Sequence, residues 1–297
     1  MISQNANVSD ARARSKGGVL QKLKVAAGLQ SSSLLETGRG RSKGSSRIAY
    51  GFSLVKGKAN HPMEDCHVAD FFSINKQELG TFAIYDGHLG HSVAQYLKTN
   101  LFHNILSQPD FWKNPRAATL NAYENTDKAI LRNSHELGFG GSTAVTAILM
   151  KGGKLLVANV GDLRAVLCRD GHAIQLSVDH EPKEEREAIE RKGGFVSLLP
   201  GDVCRVDGQL AVARAFGDKP LKSHLSCEPD ILDISLEVTD EFLILASDGL
   251  WKVMGNQDAV DLIRRVKDPE SAAKKLAEEA VVRKSSDDIS CIVVRLQ

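Results

Sequence analysis

After Ile48 the chain is punctuated by eight short apolar or alternating runs: IAYGFSL, CHVADFF, TFAIYD, TAVTAILM, KLLVANV, LRAVLC, FLILAS and ISCIVVRL. All are of strand length, rich in β-branched and aromatic residues, and the pattern predicts extensive sheet. The link Gly152-Gly153-Lys154 between TAVTAILM and KLLVANV, and Gly161-Asp162 before LRAVLC, are too short for a helical crossover. Both therefore predict hairpins, and the sheets are expected to be largely antiparallel. Helical patterns fall between the strand blocks. Val93, Leu97, Leu101 and Ile105 recur at four-residue spacing and make one apolar stripe. Asp268-Pro269 supplies an N-cap and a first-turn proline for a helix carrying Ala272, Leu276 and Ala280, and Gly193-Gly194 stops a charged helix that runs from Pro182. Sheet packed on sheet with helices outside fits this order. There is no internal repeat, and no strict strand-helix alternation of the kind a doubly wound parallel sheet shows.

The first 46 residues break the pattern. Ser and Gly runs such as SSSLL and GRGRSKGSS surround scattered basic residues, with Asp10 and Glu36 the only carboxylates. This composition predicts a mobile basic arm over 1–46 and a folded domain over 47–297. Inside the arm, GGVLQKLKVAAGL at 17–29 can form one short amphipathic helix with Leu20, Leu23 and Ala27 on one side. A solvated tail is the plain reading, and a membrane-surface or organelle-targeting role is the alternative. Ile2 excludes the myristoylation pattern.

Composition narrows the function classes. A chain of 297 residues with 42% hydrophobic content can bury one large core or two small ones. Its 38 basic and 37 acidic side chains leave a net charge of +1, so the molecule as a whole is no electrostatic match for nucleic acid. The five cysteines are odd in number, scattered, and without metal-ligand spacing, which reads as thiols in a reducing compartment. No apolar run approaches the roughly 18 to 20 residues that span a bilayer. A monomer in the cytoplasm, the nucleus or both, without stable membrane insertion, is expected.

Candidate chemistry sits at strand ends. In TFAIYDGH an apolar strand runs into Asp86, where Gly87 lets the backbone approach a ligand, and FLILASDG repeats the arrangement at Asp248. Asp287-Asp288 precedes ISCIVV and Glu64-Asp65 precedes CHVADFF. Hard divalent cations select carboxylate and carbonyl oxygens presented in this way. Each site has a plainer explanation, because Asp-Gly is a common turn and a terminal carboxylate often only caps a helix. A lone histidine such as His88 is likewise more often structural than catalytic. The combination carries the reading.

Taken in order, PMEDCHV, YDGHLG, GSTAV, VANVGDLRAV, DHEP, LAVARAFGD, ASDGLWKVM and SDDISCIVV resemble the protein phosphatase 2C family, its plant members in particular, across residues 48–297. The resemblance implies an α+β fold, a four-layer α/β/β/α sandwich of two mainly antiparallel sheets flanked by helices. It also implies a centre of two Mg2+ or Mn2+ ions per chain and hydrolysis of phosphoserine and phosphothreonine in phosphoprotein substrates. Carried over by position, Asp86 bridges both ions, the Gly87 carbonyl faces the first, and Asp248 and Asp287 face the second. Glu64 and Asp65 hold water on the ions, His88 is the general acid for the leaving oxygen, and Asp162 helps hold a third, weaker ion in some members. Such a centre suits the reaction, since phosphate monoester hydrolysis needs acceleration approaching ~10²¹-fold, far beyond side-chain acid-base catalysis alone. There is no CxxxxxR nucleophile loop, which agrees with direct attack by water and no phosphoenzyme.

Three positions depart from the family. Asn60 stands where many members carry an arginine that forks onto substrate phosphate; Lys56, Lys58 or His61 could contribute positive charge instead, and Lys58 is the candidate to do so in part. Lys252 stands where many relatives have an acidic residue associated with the third ion, so that site is expected to be weak or absent. Asp288 stands where asparagine is frequent. Asn60 and Lys252 prompt a rival reading, a catalytically impaired phosphatase-like protein acting as a regulatory binding module. Another two-metal hydrolase, such as a nuclease or nucleotide phosphatase, is the second rival. The segment PGDVCRVDG at 200–208 is the candidate for a substrate-selecting surface loop.

Overall fold

The computed structural model describes residues 35–44, 47–74 and 76–297. All eight expected strands form, within two antiparallel sheets. The first sheet runs in the order β1 (Leu35–Arg41), β2 (Ala49–Val55), β15 (Ile289–Arg295), β14 (Asp240–Ala246), β8 (Arg164–Arg169) and β9 (His172–Gln175). The second runs β12 (Phe216–Gly217), β5 (Gly141–Ser142), β4 (Gln77–His88), β6 (Ala144–Met150), β7 (Lys154–Val160) and β13 (Asp230–Ser235), with β3 (Asp65–Ile74) also paired to β4. A small hairpin of β10 (Val196–Ser197) and β11 (Arg205–Val206) stands apart.

Burial on both faces explains why the central strands read as continuous apolar runs. Along β14, Leu243 and Leu245 point between the sheets, while Phe242, Ile244 and Ala246 point outward to a helix layer. That outer layer is α5 (Asp248–Trp251), α6 (Asn256–Ile263) and α7 (Pro269–Val282), whose Leu250, Val260 and Leu276 complete the packing. On the other sheet, Val145 and Ala147 of β6 face inward, and Ala144 and Ile148 meet α1 (Ser92–Leu106) and α2 (Pro115–Arg132). Helix, sheet, sheet, helix is thus the layering, with an apolar core in each gap. The stripe of Val93, Leu97, Leu101 and Ile105 is buried as expected, and Asp268 caps α7 by accepting from the Ser271 N–H at 2.9 Å.

Three local expectations are corrected, and one helix is added. Residues 35–41 belong to the sheet, not to an arm: β1 pairs with β2 from Leu35 opposite Val55 to Arg41 opposite Ala49. Its sequence, LETGRGR, lacks apolar alternation because it is an edge strand whose glycines make room for aromatic rings across the ladder. A Cβ at Gly38 would stand 2.6 Å from the Phe52 ring, and one at Gly40 2.5 Å from Tyr50. The remainder of the expected arm, including the helix over 17–29, lies outside the described residues. The Gly161-Asp162 link is no hairpin. It carries the chain from β7 in one sheet to β8 in the other, and its backbone is tied to His180, which donates its N–H to the Gly161 carbonyl at 2.9 Å and accepts the Gly161 N–H on Nδ1 at 3.0 Å. The charged helix after Pro182 begins only at Arg186, as α4 (Arg186–Arg191), because the preceding residues fold into turns on the Glu181 carbonyl. Helix α2 was not anticipated: its stripe of Ala118, Ala122, Thr126 and Ile130 is weakly apolar, although Asn114-Pro115 is a clear start signal.

Candidate metal centre and active site

One end of the sandwich gathers the acidic strand termini. Asp86 lies near the end of β4 and Asp65 begins β3, and the antiparallel register sets these two residues directly opposite each other. Asp248 follows β14, Asp162 follows β7, and Asp287 precedes β15. Backbone approach at this end requires small residues: Gly249 packs on the turn before β15, where a Cβ would stand 2.1 Å from the Asp288 carbonyl. The Gly87 N–H donates to the Glu64 carbonyl at 3.3 Å, and the Glu64 side chain accepts the Gly90 N–H at 2.7 Å, locking the MED segment to the DGH turn.

Asp288 is the clamp that sequence reasoning could not interpret. One carboxylate oxygen accepts the Gly57 N–H at 2.7 Å and the other accepts the Glu64 N–H at 2.9 Å. Asparagine offers only one acceptor oxygen, so the second carboxylate oxygen has a structural use here. Beneath it, Ser290 donates its hydroxyl to Asp65 at 2.6 Å and its N–H to the Ser247 hydroxyl at 2.9 Å, while the Ser247 N–H donates to the Ser290 carbonyl at 3.0 Å. Neither serine was singled out from sequence, though both lie inside the quoted motifs.

The carboxyls are close enough to raise one another's proton affinity. Burial pushes Asp65 up to about 8, against the Ser290 hydrogen bond, with Asp288 and Asp248 adding repulsion. Burial also pushes Asp162 up to about 8, reinforced by Asp248 and opposed by Lys252. Asp86 is raised well above the usual carboxylate range, first by burial and then by Asp65, Asp248, Asp162 and Asp287. Asp248 is raised by burial, with Lys252 opposing and Asp287 reinforcing. Among the described residues six buried polar side-chain atoms lack a hydrogen-bond partner, and two of them are Asp65 Oδ1 and Asp248 Oδ1. A hard cation satisfies both the repulsion and the unpartnered oxygens, so the donor chemistry fits Mg2+ or Mn2+. No three His, Cys, Asp or Glu groups among the described residues are already gathered into a closed ligand set.

The other expected site residues fall around this cluster. His88 is paired with Asp218, whose buried side chain meets His88 Nε2 at 2.8 Å on both oxygens. Asp218 lies in the LAVARAFGD motif, yet its pairing with His88 spans 130 residues and is invisible to local pattern. Lys56 is committed to the Ala59 carbonyl at 2.6 Å, and His61 to the Pro62 carbonyl at 2.8 Å. Lys58 is exposed, with its backbone N–H anchored on the Ser286 carbonyl at 2.8 Å, one residue from Asp287.

The Protein phosphatase 2C family model matches residues 50–289. The chain belongs to the protein phosphatase 2C family. It is 62% identical over 270 residues to "Probable protein phosphatase 2C 9" of Arabidopsis thaliana, covering 91% of this chain and 95% of that one. It is 59% identical over 282 residues to "Probable protein phosphatase 2C 44" of Oryza sativa subsp. japonica, covering 94% and 88%. These relatives place it among plant-type members. The solved serine-threonine phosphatase 2C of Toxoplasma gondii superposes with a TM-score of 0.73 at 23% identity, over 88% of this chain and 99% of that one, a likeness of fold. Family membership makes this protein phosphatase 2C relative a serine/threonine protein phosphatase.

Two outcomes follow for this phosphatase. Asp288→Asn sets an amide N–H2 against a backbone N–H and should cost about 1–3 kcal/mol of stability, read as a lowered denaturant midpoint. Separately, burial pushes Asp65 and Asp162 up to about 8, so they hold protons more tightly folded than unfolded, and the stability they contribute is complete at low pH and lost as pH rises through about 8; Asp86 and Asp248, raised as well, act in the same direction. In chelator, the melting temperature should therefore rise as pH is lowered from about 9 to about 7. Saturating Mn2+ should flatten or reverse that slope.

Proposed function

We propose that this chain hydrolyses phosphoserine and phosphothreonine in proteins by direct attack of water at a centre of two Mg2+ or Mn2+ ions, without a phosphoenzyme. The observation that carries the reading is the buried, mutually repelling carboxylate cluster with unpartnered oxygens on Asp65 and Asp248. Asp86 and the Gly87 carbonyl, together with Asp248 and Asp287, would hold the ions. Glu64 and Asp65 would orient water beside them, and Asp162 borders the cluster. Such ions, when bound, activate water and neutralise charge on the phosphoryl oxygens.

The chain's own groups supply the remainder. Asp218 orients the His88 ring, leaving Nδ1 to give a proton to the departing serine or threonine oxygen. Lys58, exposed beside the Asp287 turn while Lys56 and His61 have carbonyl partners, is the group proposed to attract substrate phosphate in place of the missing arginine. The hairpin bearing residues 200–208 exposes Leu198, Leu199 and Val203 and supports the proposal that it contacts substrate protein. The five cysteines are free, which favours a reducing compartment, cytoplasm or nucleus, for a monomeric enzyme. Among the described residues no helix is long and apolar enough to cross a membrane.

Phosphate release from a phosphothreonine peptide, a nucleotide and DNA, measured side by side with Mn2+ or chelator, tests the reading. Turnover of the peptide alone, dependent on metal, abolished in Asp86→Asn and reduced several-fold by Lys58→Ala, is expected. Metal-independent turnover, no turnover, or preference for nucleotide or DNA would overturn it.

A further inference from the structure

Lys252 occupies an unusual place in the cluster. It follows α5, four residues on from Asp248, and its ammonium pairs with Asp248 Oδ2 while donating to Asp287 Oδ2 at 3.0 Å. Asp287 lies 35 residues beyond Lys252, across an excursion through α6 and α7, so the lysine ties the start of α5 to the turn before β15. Its charge also acts on Asp162, across the sheet-to-sheet link. Two other cations nearby are engaged elsewhere: Lys56 lies on the Ala59 carbonyl, and Arg164 is bound to Asp179 and Asn256.

We propose that Lys252 is a resident cation of the centre, which holds Asp248 and Asp287 together in place of a divalent ion and weakens the binding of divalent ions to those same two carboxylates. This rests on the two-ion reading of the site. A lysine ammonium takes one oxygen from each carboxylate and brings one positive charge. A divalent ion drawn to Asp248 must then displace the ammonium from that oxygen, or bind through the unpartnered Oδ1 with a like charge nearby. Either route costs affinity. In the absence of ions the same contact is stabilising, because it offsets repulsion between Asp248 and Asp287. The consequence is an enzyme whose carboxylate cluster stays assembled when ions are scarce and which demands a higher ion concentration to load. Arginine at this position would keep the charge; methionine would keep the volume and remove it.

Calorimetric titration of Mn2+ into chelator-stripped protein tests this, with wild type, Lys252→Met, Lys252→Arg and Asp86→Asn compared, and with melting temperature recorded in chelator. Lys252→Met should bind Mn2+ about tenfold more tightly or better and melt at lower temperature without ions, while Lys252→Arg stays near wild type. Should Lys252→Met fold only when Mn2+ is present, that exchange of ammonium for ion supports the proposal in its strongest form. Unchanged Mn2+ affinity in a folded Lys252→Met overturns it. If wild type and Asp86→Asn bind Mn2+ alike, the two-ion reading itself has failed, and the proposal falls with it.

Discussion

Four aspartates, Asp65 buried and Asp86, Asp162 and Asp248 partly buried, repel one another at the end of this sandwich, and much of the architecture near them is what that repulsion demands. Asp65, Asp86, Asp162 and Asp248 all hold protons more tightly than free carboxyls do, with burial and mutual charge as the causes. No local element would keep them together. They are fixed by the apolar core between the sheets, where Leu243 and Leu245 of β14, Ile292 and Val294 of β15, and Val145 and Ala147 of β6 hold the strand ends in register. Next to that core, Asp288 and the Ser247–Ser290 pair tie the loops with hydrogen bonds to backbone, so the carboxylates cannot relax apart. A site built this way is preorganised at the cost of stability, and a divalent ion held there, as proposed, would return the difference.

This frame explains which parts of the molecule were legible in the sequence. Strands buried on both faces announce themselves as apolar runs, and all eight were readable. The edge strand β1 was not, because its glycines serve the rings of Phe52 and Tyr50 on the neighbouring strand and leave no apolar signature of their own. Link length also misled: Gly161-Asp162 is short enough for a hairpin, but whether two consecutive strands pair is decided by distant partners, here β6 and β13 on one side and β14 on the other. At the site, the aspartates were visible because each ends or precedes a strand. The groups that hold them, Ser290, Asp288 and Lys252 in its bridging role, act across gaps of 35 residues or more in sequence and acquire meaning only when the chain is folded.

His88 illustrates how the missed parts support one another. It follows Asp86 by two residues at the end of β4, and β4 alone does not fix its ring. Asp218 fixes it by meeting Nε2 with its buried carboxylate. Asp218 is in turn held by its own N–H, which donates to the Gly140 carbonyl at 2.9 Å, and by the neighbouring Gly217 N–H, which donates to Asp127 at 2.8 Å. Asp127 lies on α2 and also receives Lys222 at 3.1 Å, so its buried charge is paired as well as hydrogen-bonded. The helix that weak hydrophobic patterning concealed is therefore the anchor of the residue that local motif reading passed over. The carboxylate cluster is built on strand ends from both sheets, whereas His88, the proposed proton donor, is steadied from the helical layer, so different parts of the fold position the two.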